Sequence, residues 1–280
     1  MPNPHEELVV VGDGRVGCAF AQMAGPRTRL VRRGQAVTTE ETENNAYPII
    51  VATHCSDLDA VLAKTCKTRW KDLVFVQNGM LQPWLKQHYL QDNTQVLLFM
   101  SASPENPSEP KGHMHVRGGR DSCAWGRWAD TICHIMQKGG LQCSVVSQDM
   151  FLEVMVEKLL WSSIFWLLSD ALGGLSVGEI AQYHKCLVQE LTGELLPLAL
   201  SCSSLPSTIS PTALHHQLAE SEMVERLCAY SRGIFPAVPS KKMALSEFDW
   251  RNGWFLAQRA TPCHLKWLKI AGIKRAIGSK

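Results

Sequence analysis

Gly12, Gly14 and Gly17 follow the apolar run Leu8-Val9-Val10-Val11 in the spacing G-x-G-x-x-G. An apolar strand that breaks into glycines at this spacing and resumes as a helix suits a pyrophosphate. The first glycine permits the tight turn, the second lets backbone approach the phosphates, and the third lets the helix pack closely on the strand. A helix starting near Val16 adds free N–H groups and the positive end of its dipole. Of the residues between the glycines, Asp13 brings a carboxylate that opposes a phosphate, and Arg15 is a cation placed to offset it. The next strand-like stretch, Thr28-Arg29-Leu30-Val31, ends in Arg32-Arg33-Gly34, with no acid before Glu40. An acid at that strand end would hold the ribose hydroxyls of NAD, whereas arginine forks suit the 2′-phosphate of NADP. The expected cofactor is therefore NADP(H). A plain strand-to-helix turn and a solvated basic turn are the readings without a ligand.

Three further residues are placed for chemistry. Lys158 lies on a segment that is apolar nearly all round, where an ammonium is costly unless paired or used. Asn78-Gly79 is a polar turn dipeptide at the end of a strand-like run. Glu247 follows Ser246, which reads equally as a helix N-cap with an acid in the first turn. His215-His216 has no companion ligands, so no metal site is expected. No P-loop is present.

The elements that must position these residues alternate through the first half. Strands are expected at Leu8–Val11, Arg29–Val31, Ile49–Thr53, Leu73–Val76 and Gln95–Phe99, with helices at Val16–Met23 and Asp57–Lys67. A loop and hairpin are expected over Ser101–Gly119. From about Gln148 the pattern turns helical, with a buried helix at Met150–Ser169 and others at Val177–Thr192, Pro211–Tyr230 and Glu247–Gln258. Leu205–Pro211 reads as a loop. The fold class is α/β: a Rossmann-type doubly wound parallel sheet over 1–147, then an all-helical C-terminal domain over 148–280. The active site is expected in the cleft between them.

Bulk properties agree with that plan. The chain has 280 residues, 45% hydrophobic and 19% charged, enough for two domains with buried cores. A net charge of +2, and nine tryptophans without a basic stripe, give no reason to expect nucleic acid as a partner. Leu159–Leu168, the longest apolar stretch, is broken by Ser162 and Ser163 and is too short for a membrane span. Ten cysteines are scattered singly with no C-x-x-C and no signal-peptide pattern ahead of them. Reduced thiols in the cytoplasm are expected, or in an organelle had a transit peptide been removed.

Four segments, in order along nearly the whole chain, resemble the ketopantoate reductase (2-dehydropantoate 2-reductase) family. They are Val76-Gln77-Asn78-Gly79-Met80, Val156-Glu157-Lys158-Leu159-Leu160-Trp161, Leu172-Gly173-Gly174-Leu175-Ser176-Val177-Gly178-Glu179 and Ser246-Glu247-Phe248-Asp249-Trp250-Arg251-Asn252-Gly253. The first matches the family's Q-N-G and the second its W-E-K-L-L. The third matches a glycine-rich stretch ending in V-G-E, and the fourth is close to T-E-I-D-Y-x-N-G. The resemblance implies NADPH-dependent reduction of a small 2-keto acid to a 2-hydroxy acid. It aligns Lys158 with the catalytic lysine, whose ammonium gives the ketone oxygen a proton as hydride reaches the carbon. It aligns Glu247 with the acid that holds a substrate hydroxyl, Asn78 with the asparagine at the nicotinamide end, and Ser240 with a substrate-binding serine. A homodimer is left open.

The chain also departs from the family. The asparagines four and eight residues beyond the lysine are replaced by Ser162, which keeps a hydroxyl for substrate, and Trp166, which has no side-chain acceptor. His54 stands where a lysine is usual, and Gly34–Pro48 is a short bridge where further sheet and helix are usual. Three readings follow: a reductase of this family acting on a keto acid that need not be ketopantoate, another two-domain nicotinamide dehydrogenase, and a non-catalytic relative serving as an interaction or sensing module.

Overall fold

The computed structural model describes residues 8–38, 46–101, 111–112, 121–202 and 219–273. Strands β1 (Leu8–Val11), β2 (Thr28–Val31), β3 (Ile49–Val51), β4 (Leu73–Phe75) and β5 (Thr94–Leu97) pair in parallel. β6 (Met100–Ser101) and β7 (Lys111–Gly112) form a small antiparallel pair of their own. β8 (Ser122–Trp125) joins the main sheet antiparallel to β5, and β9 (Cys143–Val145) runs parallel to β8. The sheet order is β2-β1-β3-β4-β5-β8-β9. Every residue of β3 and β4 is buried, which is why both strands read as unbroken apolar runs and not as an alternation.

Helices α1 (Arg15–Ala24), α2 (Leu58–Ala63), α3 (Gln82–Gln87) and α4 (Ala129–Lys138) accompany these strands. Phe20 and Met23 of α1 and Ile132 and Met136 of α4 pack with Val10, Ile50 and Val74 in one core. α2 is shorter than the helix expected over Asp57–Lys67. The Thr65 hydroxyl donates back to the Val61 carbonyl (2.7 Å), and the Cys66 N–H is taken by Thr38 Oγ1 (2.7 Å) in place of a helical carbonyl.

The remaining helices are α5 (Gln148–Ala171), α6 (Val177–Tyr183), α7 (Lys185–Leu200), α8 (Glu220–Gly233), α9 (Lys241–Ser246), α10 (Asn252–Gln258) and α11 (Pro262–Ile270). α5 is buried nearly all round, as its composition predicts. The helix expected over Val177–Thr192 is two helices that meet at His184; α6 opens on a capping box between Ser176 and Glu179. The helix expected over Glu247–Gln258 is also broken. α9 ends at Ser246, a 3-10 turn covers Phe248–Trp250, and α10 begins at Asn252. Ser246 is therefore not an N-cap: its hydroxyl donates to the Met243 carbonyl (2.7 Å), and Glu247 closes the end of α9. Leu205–Pro211, His215-His216, most of Ser101–Gly119, and the part of Pro211–Tyr230 before residue 219 lie outside the described residues.

The chain divides into two compact units. One holds the sheet with α1, α2 and α4; the other gathers 78–83 with the helices from Leu152 onward. No helix among the described residues is long and apolar enough to cross a membrane.

Candidate functional site

In the sheet unit, β1 has β2 on one side and β3 on the other, so the strand order reverses there. Such switch points, at the carboxyl ends of the strands, are where open α/β sheets bind ligands. The glycine turn sits on this point. The Gly12 N–H donates to the Val31 carbonyl (2.9 Å), and the Ala52 N–H donates to the Val11 carbonyl (2.8 Å).

The fold requires two of the three glycines, for different reasons. Gly12 has φ +106°, and a Cβ there would lie 2.6 Å from the Ala52 carbonyl oxygen. A Cβ on Gly17 would lie 1.8 Å from the Gly12 oxygen, so helix and turn are in direct backbone contact. At Gly14 a Cβ would meet nothing within 4 Å among the described residues. The fold itself gives no steric reason for that glycine, and the space beside it is open. α1 begins at Arg15 with no side chain capping it and no acid in its first turn, while the Cys18 N–H closes on the Gly14 carbonyl (2.9 Å). Gln77, at the end of β4, donates to the carbonyls of Val51 (2.7 Å) and Thr53 (3.2 Å), fixing the strand ends. Gln77 Oε1 and Thr53 Oγ1 are buried there without partners among the described residues.

Both predicted phosphate arginines follow β2 and are held by acids. Arg32 Nε lies 3.6 Å from Asp13 Oδ2, and Arg33 Nη2 lies 3.0 Å from Asp57 Oδ2. The two guanidiniums are largely exposed, and such pairs contribute at most about 1 kcal/mol. Asp13 finds its cation in Arg32. Val16 is half-buried at the start of α1, and His54 is exposed at the end of β3.

In the helical unit, Trp161, Ser162 and Trp166 of α5, Ser240 and Met243 of α9, and Arg251 line a pocket of about 100 Å³. The pocket brings together two predicted residues, Ser162 and Ser240, and reaches a third, Glu247, through Arg251. Glu247 Oε2 accepts from Arg251 Nη2, and the two side chains are 16% and 14% exposed. Ser240 also caps α9 by accepting the Met243 N–H (3.4 Å). The Ser162 hydroxyl donates to the Leu159 carbonyl (3.1 Å).

Lys158 is half-buried on α5, one turn before Ser162, and does not line the pocket. Its neighbour Glu157 is buried and pairs with Arg226 (3.1 Å). The Asn78-Gly79 turn packs on the segment that carries Glu247. A Cβ on Gly79 would lie 2.5 Å from the Trp250 carbonyl oxygen, which accepts the Met80 N–H (2.8 Å).

Behind the pocket lies a buried polar chain. Trp166 Nε1 donates to Asn252 Oδ1 (2.8 Å), and Asn252 Nδ2 donates to the Ser163 carbonyl (3.1 Å) and meets His264 Nε2 at 3.0 Å. The indole fixes the amide orientation, so His264 Nε2 must accept and the ring is neutral. Burial pushes the imidazole down to about 4, against the opposing pull of Glu194. Arg251, Asn252 and Gln77 lie inside motifs quoted above, yet sequence gave them no role. The signal at Arg251 was a cation in the variable place of E-x-D-x-x-N-G.

No protein-family model and no curated protein matches the chain in sequence. Solved structures do match. A D-mandelate dehydrogenase solved with NADH is 15% identical over 96% of this chain and 98% of its own, with TM-score 0.66. A 2-dehydropantoate 2-reductase from Methylococcus capsulatus is 14% identical over 98% of both chains, with TM-score 0.64. A dimeric ketopantoate reductase from Staphylococcus aureus is 16% identical over 96% and 99%, with TM-score 0.61. At these identities the likeness is one of architecture: this chain has, over nearly its whole length, the fold of solved ketopantoate reductases and of D-mandelate dehydrogenase.

Proposed function

We propose that this protein is a nicotinamide-dependent oxidoreductase that uses NADP(H) to reduce a small 2-keto acid to the 2-hydroxy acid. The observation that carries the reading is the glycine turn at the switch point, whose middle glycine is the one the fold does not need. Open space at Gly14, an uncapped helix start, and the unpartnered Gln77 Oε1 and Thr53 Oγ1 fit a dinucleotide. Gly12, Gly14, Gly17 and the N–H groups of Arg15 and Val16 would hold its pyrophosphate. Arg32 and Arg33 would turn from Asp13 and Asp57 to a 2′-phosphate. When bound, the nicotinamide supplies hydride. The matched structures support this, being keto-acid reductases and a dehydrogenase, one of them solved with NADH.

Lys158 supplies the proton. Its ammonium stabilises the charge gathering on the ketone oxygen and then protonates it. Asn78 orients the reacting end of the ligands, Ser162 and Ser240 contact the substrate, and Glu247 acts beside them. In a consumption assay with a panel of 2-keto acids, Lys158→Ala is expected to lower kcat by about 100-fold or more, the range of a lost general acid, with NADPH affinity preserved. Unchanged turnover would remove Lys158 from the mechanism. The second reading, a non-catalytic nucleotide-binding module, is favoured by Trp166 standing in the pocket wall and by Arg251 holding Glu247. Tight NADPH binding with no turnover of any keto acid would select it.

A further inference from the structure

We infer that Arg251 anchors the carboxylate of the substrate in this chain, and that the indoles of Trp161 and Trp166 give the rest of that substrate an apolar seat. The inference rests on the reading above, that the helical unit receives the keto acid. The donors left unspent around the pocket carry it. Trp161 Nε1 is committed to Ser231 Oγ (2.9 Å) and Trp166 Nε1 to Asn252 Oδ1 (2.8 Å), so both indoles offer carbon to the pocket. The Ser162 proton is committed to the Leu159 carbonyl, leaving that hydroxyl as an acceptor only. Ser240 accepts from the Met243 N–H, and its own proton has no acceptor among the described residues.

Among the described residues, Arg251 is the one charged side chain lining the pocket. Beyond Glu247 its guanidinium makes no hydrogen bond to a described residue, and its Nε is buried without a partner. An unsatisfied buried N–H on a cation is costly, and a second carboxylate satisfies it. Glu247 fixes the fork from one side, as a positioning residue, and the substrate carboxylate takes the other. Two donors beside apolar walls select a carboxylate attached to an apolar group.

The test compares 3-methyl-2-oxobutanoate with its amide, which keeps the ketone and side chain but lacks the charge. Wild type, Arg251→Met and Arg251→Lys are each checked for folding by circular dichroism. With NADPH, Arg251→Met is expected to raise KM for the acid by about 10–100-fold, the worth of a charge-assisted hydrogen bond. For the amide, the ratio of variant to wild-type KM should fall close to one. Arg251→Lys keeps the pair with Glu247 but lacks the fork, so it folds if the pair matters for folding and still loses about tenfold on the acid. Equal KM values for the acid in all three proteins would overturn the anchor while leaving the reductase intact. If wild type reduces neither compound, binding of the acid, followed by Trp fluorescence, decides the anchor alone. Binding weakened in both variants supports it; no binding to wild type, or equal binding, overturns it.

Discussion

Alanine at position 14 and alanine at position 17 are expected to fail in different assays. A methyl on residue 17 would sit 1.8 Å from the Gly12 oxygen, and backbone cannot yield there as a side-chain tip can. Gly17→Ala should therefore cost about 1–3 kcal/mol or more in urea unfolding, in line with overpacked cores. Residue 14 has φ −73° and open space beyond it. Gly14→Ala should leave stability unchanged or raise it by about 0.4–1 kcal/mol, because the unfolded chain loses freedom. Its NADPH affinity, read by fluorescence titration, should drop at least about tenfold, as a ligand within van der Waals reach is pushed away. Undiminished binding by Gly14→Ala would refute the assignment of this turn to the pyrophosphate.

Between elements, α5, α10 and α11 are joined by the Trp166–Asn252–His264 chain. His264 is fully buried, with its imidazole pushed down to about 4 by burial. Its folded value lies below the unfolded one, so the stabilising state is the neutral ring, fully present above about pH 6.5. As pH falls from there toward about 4, the unfolded chain takes up a proton that the folded chain refuses, and stability drops by about 1.4 kcal/mol per unit. Urea midpoints measured across that window should show the slope, and His264→Gln, which keeps an acceptor for Asn252, should flatten it. An identical slope in the variant would place the titration elsewhere.

Elements were legible in sequence where local pattern and burial agree. β1, the glycine turn and α1 form one such run, and α5, buried all round, is another. α4, β8 and β9 were not read. β8 enters the sheet antiparallel after residues of mixed polarity, and β9 has two of its three residues exposed, so neither leaves a continuous apolar signature. The pocket was legible only in part. Ser162 and Ser240 came from the family resemblance, whereas the weight of Arg251 depends on what its neighbours have already bonded, which spacing along the chain does not encode.

For the molecule as a whole, ligand binding adds to stability by mass action. NADPH at about a hundred times its Kd contributes about 2.7 kcal/mol, which for a protein of this size raises Tm by about 5 °C. NADH at the same concentration should raise it less. Arg33→Ala removes the guanidinium that pairs with Asp57, so the two shifts should converge. Equal shifts in the unaltered protein would sink the NADP(H) assignment. The unequal hold on the three glycines also has a historical consequence. Drift at residues 12 and 17 is penalised by folding in any descendant, whether or not it binds a nucleotide. On the proposed function, residue 14 would be held by the ligand alone. Among close relatives, chains that keep glycine at 12 and 17 but have lost it at 14 would mark lineages in which the scaffold outlived its reaction.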